Sequence, residues 1–244
     1  MQQISDNKIY QVATLQALAL GYSKKVVTVG ELLENGDTGL GTFEDINGEM
    51  IAIDGKCYRA DSKGNVTEMD PETGVPFAAV TFLSPERQTA FENVDSVERL
   101  KQLLDLEIEK TFGLNSVHVV RINGDFDVVY ARSETPFHSQ HIELKQILGN
   151  TQTEFHFDNI SGSLVCVYYP DYMKGINAAG WHFHFVSDDR TKGGHVFEIV
   201  MNHGEVFIDK ISRIEIKLPT DAAFDTYTLT EASEKEIKQV EQGE

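Results

Sequence analysis

Gly180-Trp181-His182-Phe183-His184-Phe185-Val186-Ser187, followed by the loop Asp188 to Gly194 and then His195, is the stretch whose reading decides the fold. Trp181, Phe183 and Phe185 alternate with His182 and His184. Alternation with a period of two marks a half-buried strand, with odd and even residues on opposite faces. The aromatic face suits a core, which leaves both imidazoles on the other face. Side chains two apart on a strand are rooted about 6.5–7 Å apart, close enough to lean onto one ion. Gly193-Gly194 ends the loop, and Val196-Phe197-Glu198-Ile199-Val200 reads as a second strand. The hairpin brings His195 back towards the first pair. Three neutral imidazoles can hold Zn²⁺ or a similar divalent ion and leave a position open for substrate.

Spacing alone does not name a reaction. Three-histidine sites on antiparallel sheets also serve carbonic anhydrases, and cupins use a similar paired-histidine strand. A hydratase, an oxygenase or a binding module stabilised by a closed structural ion would show the same pattern. The remaining histidines, His118, His138, His141, His156 and His203, lack partner spacing, and His203 sits in an Asn-His-Gly segment that reads as a turn.

The chain has 244 residues, 41% hydrophobic and 25% charged, an ordinary globular balance with enough length for one large domain or two small ones. Its 39 acids against 21 bases give a formal charge of −18. Such a surface excludes nucleic acid and anionic membranes as natural partners, and an anionic substrate would need a local arginine. No apolar run approaches the ~18 residues of a membrane span. Met1 to Asn7 is polar and lacks the order of a signal peptide. Cys57 and Cys166 are then expected as reduced thiols in a cytoplasmic protein.

Ile9–Val12 reads as a strand and Val29–Leu33 as a short helix ended by Asn35-Gly36. Gly36–Phe43 is too glycine-rich for a helix. Ile46 to Lys56 reads as a turn, an apolar strand and a tight Asp54-Gly55 hairpin turn. Residues 61–76 should be loop and Phe77–Leu83 a strand. A helix is expected from about Val97 to Lys110, with Asp95 and Glu98 as a capping box and Leu100, Leu103, Leu104 and Ile108 as its apolar stripe. Val117–Arg121 and Phe126–Tyr130 flank Asn123-Gly124, which predicts a hairpin turn.

Gln140–Thr153 is the candidate connection between two halves, residues 1–145 and a metal-binding 146–244. A faint repeat supports them. Phe43–Ile51 resembles Phe157–Val165, and Ala79–Ser84 with Arg87 lines up with His182–Ser187 and Arg190. The expected fold is therefore α/β (α+β), two similar mixed β-sheets with a few flanking helices, from an internal duplication. Because Arg87 stands where no metal can bind, Arg190 is assigned to pinning its loop beside Asp188 and Asp189.

The chain resembles the acetolactate decarboxylases, a bacterial family, over nearly its whole length. The residues carrying the resemblance are Gly36–Phe43, Asn47-Gly48-Glu49-Met50, Asp171–Asn177, Gly180–Phe185 and Asp189–Val196. Asn47 replaces the aspartate the family usually shows two residues before the glutamate. The resemblance implies decarboxylation of (S)-2-acetolactate to acetoin and CO₂ by a homodimer, with Zn²⁺ on His182, His184 and His195 stabilising the enediolate as a Lewis acid. Glu49 matches the family's catalytic glutamate and Arg132 its active-site arginine, a planar, permanently charged partner for a small anionic keto acid. Glu241 is the candidate for a C-terminal glutamate near the metal. Ser233 and Glu236 form a capping box there, and Ile237, Val240 and Glu241 share a helical face.

Overall fold

The computed structural model describes residues 7–138, 141–227 and 229. The tail residues Ser233, Glu236, Ile237, Val240 and Glu241 lie outside them. The chain starts with strand β1 (Lys8–Val12), helix α1 (Leu15–Ala19) and the two-residue strand β2 (Val27–Thr28). Helix α2 (Val29–Leu33) begins with a reciprocal cap. The Glu31 N–H donates to the Thr28 hydroxyl, and the Thr28 N–H donates to the Glu31 carboxylate. Strands β3 (Thr38–Thr42) and β4 (Glu49–Ile53) follow, and β4 returns through Asp54-Gly55 as β5 (Lys56–Ala60). Both turn residues have positive φ, 55° and 72°, as a tight Asp-Gly hairpin requires.

The expected loop 61–76 carries two short strands, β6 (Val66–Glu68) and β7 (Gly74–Val75), before the expected strand β8 (Phe77–Thr81). Then come β9 (Arg87–Val94), helix α3 (Val97–Thr111), β10 (Val117–Glu134), helix α4 (Leu144–Thr151), β11 (Gln152–Tyr169), β12 (Gly180–Ser187), β13 (Gly193–Ile211) and β14 (Arg213–Lys217). Helix α3 buries Leu100, Leu104 and Ile108, with Leu103 partly buried beside them. Its cap is Ser96, whose hydroxyl accepts from the Arg99 N–H; the expected Asp95 lies one residue too early. Serine there still satisfies an orphan donor, and Glu98 in the first turn complements the helix dipole.

The fold is mixed α+β and dominated by its sheets. Among the described residues, one sheet has seven strands in the order β14-β1-β8-β3-β4-β5-β6, with β14 and β1 parallel and the other neighbours antiparallel. A second has the order β10-β11-β12-β13-β9, all antiparallel, with β10 also paired to β13, and the short strands β2 and β7 form an antiparallel pair of their own. Those pairings close β10, β11, β12 and β13 into a ring. Trp181, Phe183 and Phe185 point into its core against Leu100, Leu104 and Phe126. The opposite faces pack on the seven-stranded sheet. Ile9, Leu40 and Ala79 meet Val117, Val119 and Val167, and Ile51 and Ile53 meet Val165 and Val186. Each fully buried aliphatic side chain contributes about 1.5–3 kcal/mol, so this interface holds the two sheets in fixed register.

Three expectations about organisation are corrected. Asn123-Gly124 is not a turn but the middle of an 18-residue strand, and Asn202-His203-Gly204 lies inside β13. Gly124 pairs with Gly162 on one side and Gly204 on the other, forming a row of glycines across three strands. A Cβ on Gly124 would sit 2.4 Å from the His203 carbonyl oxygen. The row therefore allows close backbone approach where the ring bends. Nor do the sheets divide near residue 145. β9 and β10 from the first half belong to the ring, β14 from the second half completes the seven-stranded sheet, and α4 merely links antiparallel neighbours β10 and β11. The aligned segments also differ in form. Phe43–Ile51 crosses the turn into β4, whereas Phe157–Val165 runs straight along β11.

Candidate active site

His182 and His184 leave β12 on the face opposite its three aromatic residues, and His195 stands directly across from His184 in β13. All three are buried. His182 Nε2 is 3.0 Å from His184 Nε2 and 3.1 Å from His195 Nδ1. Burial, reinforced by the Arg132 charge, pushes His182 down to about 3. Burial first, then neighbouring His182, puts His184 well below the ordinary imidazole range. His184 Nδ1 lies 2.7 Å from the Met50 carbonyl oxygen, so it carries the proton and turns the Nε2 lone pair inward.

This donor set fits a divalent ion. Nitrogens bound at ~2.0–2.1 Å in a tetrahedral arrangement would lie roughly 3.3 Å apart, close to the two separations made by His182, and all three ligand atoms lie within 4.8 Å of one another. Neutral imidazoles whose lone pairs converge so tightly repel unless a cation shares them. The contact between His184 and Met50 also means that the site spans both sheets.

Glu49 begins β4 and reaches the histidines from the seven-stranded sheet. Its Oε2 is 3.3 Å from His184 Nε2 and its Oε1 3.8 Å from His195 Nδ1. Gly48 before it has φ of 85°, and a Cβ there would meet the Ala60 carbonyl oxygen at 2.4 Å. Only glycine makes that turn without strain. Ser133 fixes the strand start. Its hydroxyl donates to the Ala60 carbonyl and accepts from the Glu49 N–H. Arg132, paired with His195 across β10 and β13, brings Nη1 to 3.7 Å from Glu49 Oε1. Its guanidinium lies over the Phe197 ring, 5.4 Å from the centroid.

Glu49, Arg132, His182 and His195 open onto one cavity of about 350 Å³, including the part open to solvent. Its other wall is apolar, from Leu18 of α1, Ile46, Phe77, and Leu144 and Leu148 of α4. Glu134, also in the lining, was missed by sequence reasoning. The available signal was its position two residues after Arg132 at a strand end, which places both on one face. Arg190, by contrast, stays outside this group. It donates to the Ser187 carbonyl at 3.1 Å and to Asp54 of the β4–β5 turn at 3.0 Å, so it does pin its loop, but through Asp54 rather than Asp188 or Asp189. His203 pairs with Glu92, away from the site.

The cavity, the three imidazoles, the carboxylate and the buried guanidinium form one constellation suited to catalysis, assembled from strands of both sheets. Comparison with known proteins gives it a lineage. A family model described as alpha-acetolactate decarboxylase matches residues 9–231. The alpha-acetolactate decarboxylase of Methanosarcina mazei is 33% identical over 233 residues, 96% of this chain and 80% of that protein. The Brevibacillus brevis enzyme is 32% identical over 235 residues, 96% of this chain and 81% of its own. The archaeal relative shows that such sequences extend beyond bacteria. The crystal structure of alpha-acetolactate decarboxylase from Bacillus subtilis strain 168 superposes with a TM-score of 0.90 at 30% identity, covering 96% of this chain and 99% of that one. From fold, site and sequence together, the chain belongs to the alpha-acetolactate decarboxylase family.

Proposed function

We propose that this protein converts (S)-2-acetolactate to acetoin and CO₂, with Zn²⁺ held by His182 Nε2, His184 Nε2 and His195 Nδ1. The observation that carries the reading is the shared cavity, where two of the histidines, Glu49 and a buried arginine face an apolar wall. A purely structural ion would have no use for the space beside it. When bound, the ion supplies Lewis-acid stabilisation of the electron pair left on the substrate as CO₂ departs. Arg132 binds and orients the substrate carboxylate; its burial keeps its charge from being screened by water. The wall of Leu18, Ile46, Phe77, Leu144 and Leu148 takes the methyl groups and excludes water. After the C–C bond breaks, Glu49 is placed to manage the proton that the former carboxyl-bearing carbon must gain.

The test is direct. Metal-replete protein should release acetoin and CO₂ in equal amounts from acetolactate, lose that activity on chelation and regain it with zinc. Absence of acetoin from protein shown to carry metal would sink the reading.

Glu241 belongs to the same proposal as a second carboxylate acting on that proton. What supports it is the anchor of the preceding chain. Tyr227 packs with Ala17 and Tyr22 beside α1 and stacks on His141 at 3.9 Å, near the mouth formed by Leu18 and Leu144. Fourteen residues at up to ~3.4 Å each span any distance across that mouth. Deleting residues 237–244 should lower turnover at least tenfold with metal content unchanged. Full activity in the truncated protein would remove Glu241 from the proposal and leave the proton to Glu49.

The reading also carries a cytoplasmic homodimer. β14 is the last strand of its sheet among the described residues, and a second copy adding there is the arrangement this reading expects. No described helix is long and apolar enough to cross a membrane. Light scattering at the mass of one chain, 27.3 kDa, would remove the dimer.

A further inference from the structure

Three of the four residues that lead into β4, 45–48, stand in the left-handed region of backbone space: Asp45 has φ of 62°, Ile46 52° and Gly48 85°. Glycine adopts that region freely and aspartate at modest cost, but a β-branched side chain crowds its own backbone there. Among the described residues Ile46 is the one β-branched side chain so placed. Such a conformation persists only where surrounding contacts over-determine it.

Those contacts are present, and they grip the segment on both sides of Ile46. The Asp45 N–H donates to the Ser23 carbonyl at 2.9 Å, and the Asp45 carbonyl accepts from the Phe137 N–H at 2.8 Å. The Asp45 carboxylate accepts from Lys24 Nζ and from His138 Nδ1. On the other side, Arg59 Nη1 donates to Asn47 Oδ1 at 3.2 Å, and the Thr42 hydroxyl donates to the Gly48 carbonyl at 2.9 Å. Ser23, Lys24, Arg59 and His138 stand outside the cavity lining, so their work is to hold the turn.

What the strained turn accomplishes is the placement of one side chain. Ile46 is 3% exposed, packs with Leu18, Phe77, Leu144 and Leu148, and lines the cavity three residues before Glu49. The other apolar wall residues come from helices α1 and α4 and strand β8. Ile46 alone is fixed to the same short turn as the carboxylate that faces the histidines. Its distance from Glu49 is therefore set by the turn and does not relax when a wider ligand enters. Glycine or asparagine would make this turn with less strain, but would leave that part of the wall open.

We propose that Ile46 is a specificity-determining residue, which limits the alkyl group that a 2-hydroxy carboxylate can carry into the cavity, and that Asp45 is the positioning residue that holds it there. The proposal rests on the acetolactate reading for that class of ligand.

The experiment uses full-length, metal-loaded protein as wild type, Ile46→Gly, Ile46→Val and Asp45→Asn. Calorimetric titration compares 2-hydroxyisobutyrate with 2-ethyl-2-hydroxybutyrate. These acids differ by one methylene on each alkyl group and lack the ketone needed for decarboxylation. Wild type should bind the smaller acid at least ~10-fold more tightly, since a methylene in an apolar pocket discriminates by about 10–200-fold. In Ile46→Gly the preference should vanish or reverse at full metal content, because Kd for the larger acid falls roughly tenfold. Ile46→Val removes one methyl group, should move the ratio the same way by less, and serves if the glycine variant does not fold. Asparagine tolerates the same φ, so Asp45→Asn removes the charge alone and should also narrow the preference, with the wall volume intact. A merely core-filling role for Ile46 would lower the melting temperature and leave the ratio of the two Kd values unchanged, which overturns the proposal. So does a wild type that binds both acids equally, or neither. An unmoved ratio in Asp45→Asn overturns the part assigned to Asp45. If the ratios moved as stated but wild type made no acetoin, the decarboxylase reading would fail and Ile46 would keep its role. Acetoin formed with the ratios fixed across the variants would do the opposite, keeping the decarboxylase and removing the role of Ile46.

Discussion

Replacing Arg132 with alanine is expected to lower kcat/KM for acetolactate about a thousandfold while the protein keeps its metal. The guanidinium is the one cation among the described side chains lining the cavity, and the substrate is an anion. Losing a buried charged hydrogen-bond partner costs about 3–4 kcal/mol, which is two to three orders of magnitude in rate or affinity. The structure adds a stability cost that sequence alone does not show. Glu49 and Glu134 would be left buried with their shared cation gone, and breaking such pairs costs about 3–5 kcal/mol. Arg132→Lys is therefore the cleaner variant, since it keeps the charge and loses only the planar fork. Arg190→Ala is the control. It removes the link to Asp54, a half-exposed residue, so it should loosen the loop with little effect on catalysis. Kinetics of the three variants beside elemental analysis decide the matter, and reversed phenotypes for Arg132 and Arg190 would overturn both assignments.

His184→Ala should have an equally large effect by another route, abolishing stoichiometric metal and with it activity. His184 is fully buried, and its Nδ1 proton is the one offered to the Met50 carbonyl from the facing sheet. Its removal deletes one of the three proposed ligands and leaves that carbonyl short of a donor, about 1–3 kcal/mol apart from any metal. An ion present at a thousand times its Kd stabilises the native state by about 4 kcal/mol, and the variant forfeits that too. Thermal melts with and without chelator provide the check. Wild type should melt lower after chelation and the variant should not respond. Metal retained at one equivalent in His184→Ala would falsify the ligand assignment.

The histidine strand was legible because its signal is local. Trp181, Phe183 and Phe185 on one face and His182 and His184 on the other need only the pleat of a strand, and the hairpin to His195 needs only its glycines. Asp54-Gly55 and the stripe of α3 are local in the same sense. Asn123-Gly124 misled because its turn preference is weak beside what the ring requires. Its glycine is needed for close approach to Gly162 and Gly204, and those partners lie far away in sequence. Glu134 was invisible for a related reason. An acid at a strand end normally faces water, and nothing nearby announces that Glu49 will arrive from another sheet to share its arginine. The split near residue 145 failed because strand exchange between sheets leaves no mark on composition.

The parallel pairing of β1 with β14 reaches beyond the finished fold to the way the chain is made. Lys8 and Glu215, joined across that pairing, are 207 positions apart. At ribosomal speeds of about 5–20 residues per second, β1 emerges roughly 10–40 s before the strand that will cover its edge. Through that interval Ile9 and Val12 have no finished sheet to enter, and Glu49 waits for histidines not yet translated. The nascent protein thus has no stable half to rest in. Its vulnerable stage ends only when β14 leaves the exit tunnel, so the two sheets close together at the end of synthesis rather than one after the other during it.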